Sequence, residues 1–198
     1  MLRVTPKIGL YWRYIPQYEE HQICQSCQET ETMEHILTKC HTPARGKIWQ
    51  LASNLWPHES PQWPTISLET ILGCGSITPI RGTQHQENEN RTRSPTQRGA
   101  ARLLSILISE SAYLIWVIRC ERVIQEKTHT TLEIERRWLT AINKRLTNDK
   151  LTATKVKRDN VHVHKVKLTW EAVLKKNGEL PDRWMQHQEV LVGTRVGA

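Results

Sequence analysis

Three cysteines and a histidine lie within seventeen positions, as C-Q-S-C, seven residues, then H-I-L-T-K-C, and this spacing constrains the fold more than any other feature. Cys24 and Cys27 form a C-x2-C turn tight enough to aim both sulfurs at one ion. His35 and Cys40 follow at distances that can close a tetrahedron, the usual geometry of structural zinc. Three thiolates and one neutral imidazole leave no position for a reacting water. One structural Zn²⁺ is therefore the expected cofactor, and its loss should unfold the segment around it. His41 could replace His35, and His21 could join the set; spacing excludes neither. A thioredoxin-like redox pair is the competing reading of Cys24 and Cys27. It needs a strand before the pair and a helix after it, and Q-E-T-E-T is poor at both.

Chain length fits one medium domain or two small ones. The stretch Gly82 to Arg98 has no aliphatic or aromatic residue and can bury nothing, so it reads as a linker, 82–98. It separates a zinc module, 1–81, from a basic helical module, 99–180, with 181–198 as a disordered tail. In the first module, aromatic-rich Lys7 to Pro16 is expected to pack over the metal site. Thr32 caps a short helix reaching Lys39. Five residues of α-helix turn through about 500°, so His35 and Cys40 cannot share a face of one continuous helix. Thr42 and Pro43 open a second helix with the stripe Ile48, Leu51, Ala52, Leu55 and Trp56. Ser67 to Leu72 adds a further helical turn or two.

The second module opens with a long helix, Gln97 to Lys127, whose apolar residues make an unusually broad face. Thr130 and Glu133 form a capping-box pattern for a partner helix carrying Ile134, Trp138, Ile142 and Leu146. Asn160 to Leu168 alternates and is expected as a strand, with a short helix over Trp170 to Lys176. The expected fold class is mainly α: a small Cys3His zinc module followed by a helical hairpin or bundle.

Charge is unevenly spread. Gln17 to Thr38 holds five acids and no Lys or Arg, whereas Arg136 to Lys176 holds twelve Lys/Arg against three acids. A Cys3His site with Zn²⁺ itself carries about −1. An acidic partner such as RNA or DNA would therefore meet Arg136, Arg137, Lys144, Arg145, Lys155, Lys157, Arg158, Lys165 and Lys167, unless these simply form a solvated face. Trp116, Trp138 and Trp170 fit core packing better than base stacking. His162 and His164 read as ordinary exposed histidines, and Cys120 as a small core residue. Glu110 either pairs with a buried Arg or faces solvent. No phosphate loop, nucleophile elbow or H-E-x-x-H is present, and the chain reads as non-catalytic. Residues 103 to 118 are apolar but interrupted by Ser105, Ser109, Glu110 and Ser111, which fits a core helix and no membrane. An odd cysteine count argues against a disulfide framework and for a reducing, intracellular compartment.

The segment from Cys24 through Glu31-Thr32 and His35 to Cys40 resembles the zinc-binding domain at the C-terminal end of non-LTR retrotransposon reverse transcriptases. Trp116 to Arg119 is similar to a W-x-x-R element downstream in that family, and the region resembles fungal proteins in which it follows a ribonuclease H domain. The resemblance covers about residues 5 to 150 and implies His35 as the histidine ligand. It also implies a nuclear accessory module that binds RNA or DNA. The alternative is a docking module for the upstream reverse transcriptase and ribonuclease H domains, with the apolar face of residues 103 to 118 as the contact.

Overall fold

Helix-period apolar spacing dominates the chain, and helices carry nearly all of its regular structure. The computed structural model describes residues 7–57, 62–76, 95–155, 160–175, 183–187 and 189–193. Helix α1 spans Pro43–Leu55, entered from an extended Thr42 with Pro43 in its first turn. Helix α2, Leu68–Leu72, is capped by Ser67, whose hydroxyl accepts from the Thr70 amide at 3.2 Å. Helix α3 runs Pro95–Gln125, α4 Thr131–Lys155 and α5 Asn160–Trp170. The capping box at the start of α4 forms as its pattern suggests. The Thr130 amide donates to Glu133 at 2.7 Å, and the Glu133 amide donates to the Thr130 hydroxyl at 3.3 Å. Among the described residues there is no strand, only the isolated bridges Ile23–Thr30 and Leu174–Val192.

Helix α3 is the axis of the fold. It buries residues on nearly every side, from Gly99 and Leu103 to Ile118 and Arg119, and packs against α1, α4 and α5. By length and composition it is apolar enough to cross a membrane, yet 61% of its most apolar stretch is buried inside the fold. The broad face of residues 103 to 118 is thus filled by the chain's own helices. At Gly99 the backbone of α5 comes so close that a Cβ would collide with the Leu168 carbonyl. One continuous core joins Ile36 and α1 to α3, α4 and α5, so the metal-binding segment and the helical half share their interior.

Buried tryptophans anchor this core, and Trp49, Trp138, Trp170 and Trp184 each have the ring N–H satisfied. Trp138 donates to the Ser111 hydroxyl at 2.9 Å, which explains a serine inside an apolar helix. Trp170 donates to Asp149 at 2.7 Å, and Arg102 grips both oxygens of the same carboxylate at 2.7 Å.

Four segments differ from the sequence reading. Helix α3 starts at Pro95, so Pro95 to Arg98 belong to it; 82–94 of the expected linker lie outside the described residues. Asn160 to Leu168 is helical, because burial falls on Val166 and Trp170 while Val161 is exposed, a helix period over a locally alternating string. Of the helix expected over Trp170 to Lys176, the described residues form a 3₁₀ turn, Glu171–Val173, before Leu174 extends; Lys176 lies outside them. Finally, the described part of the expected disordered tail packs. Trp184 is buried and donates to Glu171 at 3.1 Å. Lys150 reaches the carbonyls of His187 and Val190 at 2.7 and 3.3 Å. The bridge at Val192 ties the segment beside Leu174, and the Val192 amide donates to Asn143 at 2.9 Å.

Candidate metal centre

The cysteine pair sits in a backbone knuckle. The amides of Cys27 and Gln28 both donate to the Cys24 carbonyl, at 3.2 and 2.7 Å, and Gln28 takes a left-handed φ of 58° to close the turn. Outside it, the Cys24 amide donates to Glu29 at 2.8 Å and the Glu31 amide to Gln22 at 2.9 Å. Thr32 then caps the following helical turn, its hydroxyl accepting from the His35 amide at 3.0 Å.

His35–Lys39 forms a π-helical turn, closed by the Cys40 amide donating to the His35 carbonyl at 2.7 Å. This wider winding resolves the geometric conflict in the sequence. Five α-helical residues would point His35 and Cys40 apart, whereas an i to i+5 turn brings them round to one ion. Arg45 secures the end of the turn, donating to the carbonyls of Thr38, at 2.9 Å, and Cys40.

Cys24, Cys27, His35 and Cys40 each offer a ligand atom, all within 4.8 Å of one another, and can hold a metal ion. Cys40 Sγ lies 3.7 Å from Cys24 Sγ and 3.8 Å from Cys27 Sγ. A tetrahedron with metal–sulfur bonds of about 2.3 Å has edges of about 3.8 Å. His35 supplies the strongest test of fit. Its Nδ1 lies 3.1 Å from Glu29 Oε2, while its Nε2 is buried with no hydrogen-bond partner. A carboxylate behind one ring nitrogen fixes the tautomer that offers the other to a metal. His41 is exposed, with Nδ1 3.7 Å from Cys27 Sγ alone, and His21 packs against the Trp12 and Tyr18 rings.

Burial and the neighbouring Cys40 sulfur raise the Cys24 thiol, although the Ser26 and Cys27 amides act the other way. At Cys40 burial is outweighed by the Thr42 hydroxyl and amide and by the two other thiols, which together bring it down to about 7. The start of α1 thus delivers Thr42 to a sulfur that must ionise to bind a cation.

One further residue pair was not legible in the sequence. Glu31, at 2% exposure, pairs with Arg119 of α3, at 4%. Arg119 donates through Nε, at 2.8 Å, and Nη2 to one carboxylate oxygen, and Arg122 lies 3.7 Å from the other. This buried pair joins the knuckle to the central helix. Glu110 is half-buried, and no arginine pairs with it among the described residues. Gly9, at φ 50°, presses the 3₁₀ turn Gly9–Tyr14 against the Glu31 carbonyl, so the aromatic segment abuts the knuckle at Thr30 and Glu31.

The nine cations of the candidate nucleic-acid surface do not all face water. Arg136, Lys144, Arg145, Lys155 and Lys165 are exposed, and Lys167 is half-buried. Arg137 is committed to Glu121, at 2.5 and 2.9 Å, with His129 Nε2 2.6 Å from the same carboxylate. Lys157 and Arg158 lie outside the described residues. Trp138 and Trp170 are fully buried, and Trp116 is half-buried with the Arg119 guanidinium 5.7 Å from its ring. His162 and His164, two apart on α5, share no face. Cys120 is half-buried, and burial raises its thiol. No family model, curated protein or solved structure matches the chain.

Proposed function

We propose that the chain is a non-catalytic nucleic-acid-binding module in which one Zn²⁺ fixes the knuckle and a basic helical face meets phosphates. Three thiolates and an imidazole at tetrahedral spacing suit zinc above harder cations. The observation that carries the binding role is the exposed side of α4. Arg136, Lys144 and Lys155 fall within about 100° of one another around the helix and span about 28 Å along it. None has a carboxylate partner among the described residues, whereas Arg137 and Lys47, by contrast, are paired with Glu121 and Glu135. The resemblance to the C-terminal zinc-binding domain of non-LTR retrotransposon reverse transcriptases supports the same reading and a nuclear setting.

The test is nucleic-acid affinity of the zinc-loaded chain across a salt series. Replacing Arg136, Lys144 and Lys155 together by Gln should weaken binding and reduce the slope of log affinity against log salt by about three. Binding that ignores salt, or that survives the triple substitution unchanged, would remove the reading.

A further inference from the structure

The chain separates its aromatic residues by type. Six of eight tryptophans are buried (Trp12, Trp49, Trp56, Trp138, Trp170 and Trp184), whereas all four tyrosines are exposed. Three of those tyrosines fall within eight positions ahead of the knuckle: Tyr14 at 81% exposure and Tyr11 at 42% on the 3₁₀ turn Gly9–Tyr14, and Tyr18 at 46% just before the next turn, Glu19–Gln22. Trp12 is buried beneath two of them, edge-on to Tyr11 at 5.5 Å and tilted against Tyr18 at 5.8 Å, with its N–H donating to the Lys7 carbonyl at 3.1 Å. Gly9 locks the same turn onto the knuckle. Two cations accompany the rings: Lys7 Nζ lies 5.9 Å from the Tyr11 centroid and the Arg13 guanidinium 6.0 Å from that of Tyr14.

A core needs no exposed rings, and a duplex offers them no base faces. A single strand offers unstacked bases and a flanking phosphate for each, which matches a ring beside a cation. We propose that Tyr11, Tyr14 and Tyr18 form a stacking platform for unpaired bases of a single-stranded nucleic acid, with Lys7 and Arg13 on its phosphates. This rests on the nucleic-acid reading above and adds the form of the partner and a second contact, remote in sequence from α4. Glu19 and Glu20 are exposed on the adjoining turn and oppose phosphate there.

The experiment measures fluorescence anisotropy of the zinc-loaded full chain with a short labelled single strand and with the duplex of the same sequence. Tyr14→Ala, which removes a side chain the core does not use, should weaken single-strand binding about tenfold and leave duplex binding within about twofold. Tyr14→Phe should restore it, and Glu19→Gln with Glu20→Gln should tighten it. Equal losses on both forms, or none on the single strand, overturn the platform. If Tyr14→Ala has no effect while the Arg136, Lys144 and Lys155 substitutions weaken binding, the platform falls and the basic face stands. If the wild-type chain binds neither form, both fall. Self-association abolished by Tyr14→Ala, without change in single-strand affinity, would instead mark a protein contact and overturn the proposal.

Discussion

The knuckle and the helical half solve the same stability problem in opposite ways. Residues 22–40 bury little beyond Cys24, Glu31, His35, Ile36, Leu37 and Cys40, and three of those six are candidate ligands. Their backbone turns converge on a cluster that could hold a metal ion. Helices α3 to α5 bury tryptophans, leucines and isoleucines, and the polar Ser111 and Asp149 buried among them each meet a tryptophan N–H. A short segment without apolar bulk needs a metal, while a long one with a broad apolar face does not. The two meet at Glu31 and Arg119, a buried charged joint.

Removing the metal tests that contrast most severely. Apparent binding energies for structural zinc sites are on the order of 10 kcal/mol. Cys24→Ser and His35→Ala should abolish stoichiometric zinc and loosen the knuckle, visible as lost near-ultraviolet dichroism, while far-ultraviolet dichroism keeps the α3–α5 helices. His41→Ala should keep the zinc. Loss of all helicity with the metal would show that the helical half does not stand on its own core. Loss of zinc only in the His41 variant would reassign the ligand.

How much of this was legible in the sequence follows the same division. Cys24, Cys27 and Cys40 could be read from spacing because a ligand set is a local pattern, and the structure gathers them with His35. The stripe Ile134, Trp138, Ile142 and Leu146 was legible because its period continues over three turns. The π turn after His35 was not, since no residue type marks it; only the conflict between spacing and an α-helix hinted at it. The short run Val161 to Lys167 alternates by accident, and tertiary burial of Val166 and Trp170 decides for helix. Trp184 and Lys150 find each other's neighbourhood through long-range packing that no local pattern records. Among the basic residues, charge counting could not tell Arg137, held by Glu121, from Arg136, which faces water.

The joint gives the next largest effect. Glu31→Ala leaves the Arg119 charge buried without its carboxylate, and breaking a buried pair from one side costs about 3–5 kcal/mol. Glu31→Leu combined with Arg119→Leu should recover part of that loss, because the pair's neighbours include Ile36, Ile115 and Ile118, while the half-buried Arg122 loses its carboxylate in either variant. A double-mutant cycle in urea denaturation reads the coupling. Simple additivity of the two single losses would mean that the pair carries no joint energy and that the knuckle is held to α3 by its apolar contacts alone.

The smallest effect separates the regions by their response to acid. At the far end of α3, Glu121 is held by Arg137 and then by His129, and its carboxyl drops to about 2 from an ordinary value near 4.5. A carboxyl depressed in the folded state binds fewer protons there than in the unfolded chain, so it stabilises the fold above about pH 4.5. That contribution fades as the pH falls from about 4.5 through 2. With the side chain 19% exposed, solvent screening leaves about 1–2 kcal/mol at neutral pH. Glu121→Gln should therefore lower stability by that amount at pH 7, and the deficit against wild type should shrink towards zero near pH 2. Release of a metal from the Cys3His cluster by protonated thiolates would be common to both proteins and would cancel in the difference. A deficit that stays constant down to pH 2 would mean that Glu121 acts through shape and not charge. In that case the tie between α3 and α4 would belong with the apolar packing of the helical half and not with the charged joint at Arg119.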